Sequence, residues 1–219
     1  MAERVADFIG LLRRARVVPV LTITEFSQAV PLARALCAGG LTVLEVTLRT
    51  KVALDAAKAI MAEVPEAVVG LGTLLAPRDV DAAAKIGARF IVSPGTTPTL
   101  MAAAAASGLP FLPGVATVSE AMQAREAGFS LLKLFPAEAS GGVGFLKSLA
   151  GPLGDLAFCP TGGIDPRNLR DYLVLSNVVA IGGSWLTPAG DVAAGAWGRI
   201  AERSREACRL AGGDPTVAV

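Results

Sequence analysis

Short apolar segments rich in β-branched residues recur along the chain, and stretches with helical periodicity separate them. This alternation predicts eight buried strands, at Val17–Leu21, Val43–Thr47, Val68–Leu71, Phe90–Val92, Phe111–Leu112, Leu131–Phe135, Leu156–Cys159 and Val178–Ile181. After the first interval the strands recur roughly every 20 to 26 residues, about the length of a strand, a helix and two short loops. Such an alternation is typical of a parallel sheet covered by helices.

Helical patterns fill the intervals between these strands. They are predicted at Phe26–Ala38, Lys51–Ala62, Pro77–Ile86, Thr97–Ser107, Val118–Ala127, Gly144–Leu149, Pro166–Leu175 and Ala193–Leu210. Pro77 falls in a first helical turn, where proline is tolerated, and Asp165 stands before Pro166 as a helix N-cap. We also expect a helix before the first strand and a short tail over residues 212–219.

The number of predicted strands is the one that closes a (β/α)8 barrel, and we expect residues 1–219 to form a single α/β domain of this fold. The alternative is an open doubly wound sheet. Its phosphate-binding fingerprint, Gly-x-Gly-x-x-Gly after the first strand, is missing, because Leu21 is followed by Thr-Ile-Thr-Glu. Glycines instead follow the later strands, which suits a barrel mouth built from loops.

Composition restricts the partners and the compartment. The formal charge is +1, from 20 basic and 19 acidic residues, so we expect no nucleic-acid partner. The uncharged segment from Phe90 to Ser119 is long enough to cross a bilayer, but proline and glycine divide it into short pieces. The 3 cysteines are odd in number and widely spaced, which argues against a disulfide framework or a zinc site. We therefore expect a cytoplasmic protein with no membrane association.

The chain contains no histidine. This excludes a Ser-His-Asp triad, a Cys-His pair and histidine-ligated metals. Acid–base chemistry near neutral pH must then use carboxylates, lysines, tyrosine, cysteine or water.

Polar residues interrupt two of the predicted strands. Side chains alternate sides along a strand, so Glu45 and Arg49 share one side of the second strand, and Lys133 and Phe135 share one side of the sixth. We expect the polar set to face the barrel axis and mouth. A buried ion pair that only stabilises the fold and a functional pair both account for Glu45 and Lys133.

A lysine enclosed by leucine and phenylalanine is suited to one kind of chemistry. Desolvation favours the neutral form of an amine, and a neutral amine is a nucleophile toward ketones. The cationic Schiff base that it forms draws electrons from adjacent bonds, which permits retro-aldol cleavage without a metal. A carboxylate such as Glu45 can move the protons.

Two glycine pairs follow the last two strands, Gly162-Gly163 after Thr161 and Gly182-Gly183 before Ser184. In a barrel, the loops after these strands commonly bind phosphate through exposed backbone N–H groups. Turn geometry that needs glycine is the plain alternative for either pair alone. Because two such pairs follow consecutive strands, we favour phosphate binding.

Several segments in order resemble the bacterial 2-keto-3-deoxy-6-phosphogluconate (KDPG) aldolases of the Entner–Doudoroff pathway. The resemblance covers nearly the whole chain, and its specific segments span residues 43–50, 70–73, 93–95, 113–117, 133–138, 158–164 and 181–185. It implies a class I aldolase, a lyase that forms a Schiff base and uses no metal or other cofactor. It also implies a (β/α)8 barrel that assembles as a homotrimer and takes a phosphorylated keto-sugar acid as its substrate.

The resemblance also assigns roles to residues. Lys133 falls on the Schiff-base lysine and Glu45 on the general acid/base of the family. The further assignments are Arg49 and Thr73 for the substrate carboxylate, Gly162, Gly163 and Ser184 for the phosphate, Pro94 and Phe135 for the pocket, and Thr161 for the choice of C4 epimer. Threonine at 161 resembles the gluconate type rather than the galactonate type.

Two residues depart from the family pattern, and alternative functions remain. Leu71 and Leu134 stand where the family often has alanine and phenylalanine, and we expect both to reshape the pocket wall. The alternatives are an aldolase for the galactonate epimer, a non-catalytic phosphosugar-binding barrel and a phosphosugar isomerase on the same fold. Cleavage of 4-hydroxy-2-oxoglutarate is a side activity that the resemblance implies for many members.

Overall fold

The computed structural model describes residues 2–212 and contains nine parallel strands. These are β1 (Val17–Leu21), β2 (Val43–Thr47), β3 (Val68–Gly72), β4 (Ile91–Val92), β5 (Phe111–Leu112), β6 (Gly114–Val115), β7 (Leu131–Leu134), β8 (Ala157–Phe158) and β9 (Ile181–Gly183). They pair in the orders β5-β4-β3-β2-β1-β9 and β6-β7-β8. Most of the predicted tail lies outside the described residues.

Two junctions join these sheets into one closed barrel. Only Pro113 separates β5, which pairs with β4, from β6, which pairs with β7, so the two form a single bent strand. On the other side, parallel bridges join Phe158 to Val178 and Thr161 to Gly182. The result is the predicted single-domain (β/α)8 barrel, with β5 and β6 together as its fifth strand.

Helices follow the strands and cover the outside of the barrel. They are α1 (Ala2–Ala15), a 3₁₀ turn (Phe26–Gln28), α2 (Ala29–Ala38), α3 (Ala53–Glu63), α4 (Pro77–Ile86), α5 (Pro98–Ser107), α6 (Val118–Glu126), a 3₁₀ turn (Glu138–Ser140), α7 (Gly142–Leu149), α8 (Leu169–Leu173), α9 (Ala189–Ala193) and α10 (Trp197–Ala211). Local signals set several of these bounds. For example, Thr117 caps α6 by accepting a hydrogen bond from the Glu120 N–H, at 3.2 Å.

Two side-chain clusters show which way each strand residue faces. The larger lies between the sheet and the helices and includes Leu44, Val46, Leu132 and Leu134. The smaller fills the barrel interior, with Val18, Val43, Phe90, Val92, Leu112, Leu131, Cys159 and Val179. Because Phe8 and Leu12 of α1 belong to this inner cluster, α1 covers the end of the barrel where the strands begin. The opposite end is left to the loops.

The structure differs from the sequence prediction in three elements. The last strand spans 181–183 rather than Val178–Ile181. The helix predicted from Pro166 begins only at Leu169, after a turn that Asp165 stabilises by accepting the Arg167 N–H at 2.8 Å. The helix predicted from Ala193 begins only at Trp197 as α10, because Ala193 ends α9 and Gly195 takes a positive φ of 63° between the two helices. None of the helices formed by residues 2–212 is both long enough and apolar enough to cross a membrane.

Candidate active site

Lys133 and Glu45 meet inside the barrel. Lys133 Nζ donates hydrogen bonds to Glu45 Oε1 at 3.2 Å and to Oε2 at 3.5 Å, and each residue is only 4% exposed. Lys133 is the third residue of β7 and Glu45 the third of β2, so the pair joins opposite walls of the barrel. Two charges removed from water are tolerated when they are paired and hydrogen-bonded to each other.

Glycine makes room for the Glu45 side chain. A Cβ placed on Gly72 would lie 2.1 Å from Glu45 Oε1, so any larger residue there would displace the carboxylate. On the same strand, a Cβ on Gly70 would lie 2.4 Å from the Phe90 ring. The small residues of β3 therefore shape the space into which Glu45 extends.

Phe135 lies near the amine, and Pro94 lies beside the strand that pairs with Lys133. The Phe135 ring centroid is 5.3 Å from Lys133 Nζ, within the range of a cation–π contact. Gly114 pairs with Lys133 in the sheet, and a Cβ on Gly114 would lie 2.3 Å from the Pro94 carbonyl carbon. Buried Ser93 holds this junction by accepting the Gly114 N–H at 3.2 Å.

Cys159 lies in the same interior, 4% exposed. Burial raises the pKa of its thiol to about 12. The positive charge of Lys133 opposes this shift, the negative charge of Glu45 adds to it, and the Thr161 hydroxyl opposes it. The thiol therefore stays protonated at neutral pH and acts as a small apolar side chain.

Arg49 and Thr73 meet at the barrel mouth. Arg49 Nε donates to Thr73 Oγ1 at 3.2 Å, and Arg49 has no carboxylate partner among the residues that the structure describes. Thr73 follows β3 with a φ of 63°, a left-handed conformation that is uncommon for threonine. The guanidinium is thus free to bind an anion beside the mouth.

The two glycine pairs lie side by side, because the bridge between Thr161 and Gly182 aligns their strands. Gly162 and Gly163 take positive φ values of 101° and 78°, so turn geometry by itself requires glycine at both positions. Gly182 has a different reason, since a Cβ there would lie 2.2 Å from Thr161 Oγ1. Ser184 is exposed immediately after β9, where its hydroxyl can donate to a ligand.

Thr161 is 7% exposed and lies between the inner cluster and the glycine turn. Its hydroxyl makes a long hydrogen bond of 3.5 Å to the Cys159 carbonyl. The buried Thr161 side chain thus lies beside the Cys159 backbone, and Thr161 directly precedes the Gly162–Gly163 turn.

One expectation about the pocket wall is wrong. Leu71 and Leu134 both belong to the cluster between sheet and helices, and each is 0% exposed. Each lies one residue from an inward-facing position, so its side chain points outward. Neither residue lines the pocket.

Sequence reasoning missed several supporting residues. Cys159 is inward-facing, and the alternation of its strand could have placed it. Ser93 has the parity of the outward-facing Ile91, so alternation does not predict its contact with Gly114. The sequence places Thr47 on the same side of the second strand as Glu45, but it does not predict the hydrogen bond that Thr47 donates to the Leu21 carbonyl at 2.7 Å. Asn168 and Tyr172, which hold the glycine turn, gave no signal, because their contacts depend on how separate loops meet.

Comparisons with known proteins give a consistent result. The family model described as "Aldolase: KDPG and KHG aldolase" matches residues 9–203. A KHG/KDPG aldolase of Escherichia coli (strain K12) is 51% identical over 198 residues, covering 90% of this chain and 93% of that protein.

Solved structures agree. One is a Legionella pneumophila KDPG aldolase with pyruvate captured at low pH as a covalent carbinolamine intermediate; it has a TM-score of 0.87 at 42% identity, covering 90% of this chain and 96% of that chain. Another is the Zymomonas mobilis ZM4 2-keto-3-deoxy-6-phosphogluconate aldolase with 3-phosphoglycerate, with a TM-score of 0.84 at 46% identity, covering 91% and 94%. On this sequence and fold similarity, the chain belongs to the KDPG and KHG aldolase family.

Proposed function

We propose that this protein is a class I aldolase that reversibly cleaves 2-dehydro-3-deoxy-6-phosphogluconate to pyruvate and D-glyceraldehyde 3-phosphate. The observation that carries the proposal is the buried Lys133–Glu45 hydrogen bond in a chain of this family. A lysine amine and a carboxylate in contact, shielded from water, are the two groups that Schiff-base chemistry needs.

The first half of the reaction joins Lys133 to the substrate. Glu45 takes a proton from the paired Lys133 ammonium, and the resulting neutral amine attacks the C2 ketone and forms a carbinolamine. Glu45 then returns that proton to the C2 hydroxyl, which leaves as water. The product is a protonated Schiff base, and its positive charge withdraws electrons from C3.

The second half breaks the carbon–carbon bond. Glu45, directly or through a water molecule, removes the proton of the C4 hydroxyl. The C3–C4 bond breaks, its electron pair moves into the Lys133 enamine, and C4 leaves as the aldehyde of glyceraldehyde 3-phosphate. Protonation at C3 and hydrolysis then release pyruvate and regenerate the amine.

The other assigned residues bind the two ends of the substrate and line the pocket between them. Arg49 and Thr73 bind the carboxylate next to the ketone, which is supported by the unpaired guanidinium at the mouth. The backbone N–H groups of Gly162 and Gly163, together with the Ser184 hydroxyl, bind the phosphate at the other end. Pro94 and Phe135 line the pocket around the reacting carbons, as expected from their positions beside Gly114 and the Lys133 amine.

Thr161 contacts the C4 region in this arrangement, and threonine there favours the gluconate epimer. We expect the galactonate epimer to be the poorer substrate. The family also supports cleavage of 4-hydroxy-2-oxoglutarate to pyruvate and glyoxylate as a side activity, because that substrate keeps the keto acid but lacks the phosphate.

A coupled assay for pyruvate tests the proposal. Both C4 epimers are supplied to the wild type and to Lys133→Ala, with Lys147→Ala as the surface control. We expect the gluconate epimer to be cleaved faster, Lys133→Ala to lose at least about a thousandfold in kcat, and a chelator to have no effect. Pyruvate formation that survives in Lys133→Ala would show that Lys133 is not the nucleophile. A phosphosugar isomerase or a non-catalytic barrel would form no pyruvate even in the wild type, and only the isomerase would convert a phosphosugar to its isomer, with that conversion surviving in Lys133→Ala.

The assembly and the compartment are also proposals. A homotrimer is supported by family membership and by large apolar side chains that a single chain leaves exposed, among them Phe26, Leu75, Val118 and Met122. A cytoplasmic location is supported by three free cysteines, since a reducing compartment keeps thiols unpaired.

A further inference from the structure

The turn after Thr161 directs its backbone N–H groups to one side. The Thr161 carbonyl accepts the Ala137 N–H at 2.8 Å, and the Gly162 carbonyl accepts the Glu138 N–H at 3.1 Å. The C=O and N–H of a trans peptide point in opposite directions. The N–H groups of Gly162 and Gly163 therefore point away from the loop that follows β7. Within residues 2–212, neither N–H has a hydrogen-bond partner.

Asn168 fixes the next peptide of the same turn. Its Nδ2 donates to the Gly163 carbonyl at 3.0 Å, and its Oδ1 accepts the Asp165 N–H at 2.9 Å. Because the Gly163 carbonyl is held by Asn168, the Ile164 N–H points to the opposite side of the turn. The partly buried side-chain amide of Asn168 thus uses its oxygen and its nitrogen to close the turn from Gly163 to Asp165.

Glu138 and Tyr172 hold the loop after β7, which packs against the glycine turn. A Cβ on Gly163 would lie 2.6 Å from Glu138 Cγ, so the Glu138 side chain packs directly against the turn. The hydroxyl of Tyr172, which is fully buried on α8, donates to Glu138 Oε1. This hydrogen bond fixes the loop whose Glu138 N–H binds the Gly162 carbonyl. It also holds a carboxylate that would otherwise be free to approach a bound anion.

We infer that Asn168 is a positioning residue for phosphate recognition, and that Tyr172 supports it through Glu138. Glycines in the left-handed region have many accessible conformations, so consecutive N–H groups converge on an anion only when the turn is held from outside. The inference rests on the proposed function, because that function supplies the phosphorylated substrate. It adds the residues that preorganise the phosphate site without touching the ligand.

The test compares Asn168→Ala and Asn168→Asp with the wild type. The aspartate variant keeps the acceptor for the Asp165 N–H but loses the donor to the Gly163 carbonyl. It therefore still tests the role of Asn168 if the alanine variant does not fold. We expect both variants to raise KM for the phosphorylated substrate about tenfold, with kcat little changed, and to weaken binding of inorganic phosphate by a similar factor. The rate of borohydride trapping with pyruvate, which has no phosphate, should not change.

Asn177→Ala is the matched control. It removes an amide-to-carbonyl hydrogen bond of the same kind, from Asn177 Nδ2 to the Leu146 carbonyl at 2.9 Å, away from the turn. It should lower stability without a selective effect on the phosphorylated substrate. An unchanged KM in the Asn168 variants, equal losses with pyruvate, or the same selective loss in Asn177→Ala would overturn the inference.

A wild type that traps no pyruvate would refute the proposed function instead. The affinity for inorganic phosphate, measured by calorimetry on the wild type and the Asn168 variants, would then still decide the role of Asn168. Equal affinities, or no binding by the wild type, would overturn it.

Discussion

Lys133 is the one charged residue in a strand of leucines, and its position follows from the two-residue repeat of a strand. Leu131 and Lys133 face the barrel interior, whereas Leu132 and Leu134 face the helices. The same repeat places Glu45 inside with Val43. Sequence parity was therefore enough to predict that the amine and the carboxylate share the interior. It could not predict their direct contact, because the two residues lie 88 positions apart in the chain.

Gly72→Ala should impair catalysis through Glu45. The new Cβ would lie 2.1 Å from Glu45 Oε1, so the carboxylate must move away from Lys133. A displacement of about 1 Å in a catalytic group costs on the order of a hundredfold in kcat. Gly198→Ala, which places a Cβ in open space on α10, is the matched control and should keep full activity in the same steady-state assay. Equal activity of both variants would contradict the assigned role of Glu45.

The thiols should be unreactive in the folded protein. Burial raises the pKa of Cys37 and of Cys159 to about 12, and it also raises that of Cys208. At pH 8 a group with a pKa near 12 is ionised to about one part in ten thousand, and the thiolate is the reactive form. A thiol-specific disulfide reagent should label the native protein slowly and the urea-unfolded protein rapidly at three sites. Fast labelling of native Cys159 would show that its environment is not the dry interior described above.

At the scale of elements, the sequence predicted most strands and helices because their local signals agreed with the fold. The eighth strand was misplaced, because Val178-Val179-Ala180 is the more apolar run, whereas pairing with β1 selects Ile181–Gly183. The bend at Pro113 and the break at Gly195 depend on which neighbours each half of the element meets. Local composition carries no information about those neighbours.

Thr117→Ala tests the N-cap of α6, which is not one of the residues assigned to the active site. It removes the hydroxyl that accepts the Glu120 N–H at the start of α6, and loss of such a cap costs about 1 kcal/mol of unfolding free energy. Ser119→Ala on the same helix is the control, since Ser119 is exposed and its hydroxyl has no hydrogen bond within the described range of residues. Urea unfolding should separate the two variants, while kcat/KM stays at the wild-type value in both. Equal unfolding midpoints would contradict the capping role.

At the scale of the whole molecule, ring closure brings the site together. The lysine comes from β7, the glutamate from β2, the guanidinium from the loop after β2, and the glycine turn from the loop after β8. The closed end, filled by Phe8 and Leu12 of α1, contributes stability, and the open end contributes chemistry. The sequence could predict this division only through the count of strands and the resemblance to a known family.

The proposed homotrimer predicts a native mass of three chains. Light scattering coupled to size-exclusion chromatography measures it directly. Val118→Glu and Met122→Glu, one turn apart on α6, would shift the mass toward the monomer if this exposed face is part of the interface. Exposed Ser119→Glu on the same helix is the charge-matched control. A wild type with the mass of a single chain would contradict the trimer.

Chemical trapping tests directly whether Lys133 is the nucleophile. The protein is incubated with pyruvate and sodium borohydride, digested, and analysed by peptide mass. We expect one reduced pyruvate on the peptide that contains Lys133, the same label in Lys147→Ala, and none in Lys133→Ala. Label on other lysines, or an unmodified Lys133 in active protein, would contradict the assignment of this buried amine as the nucleophile.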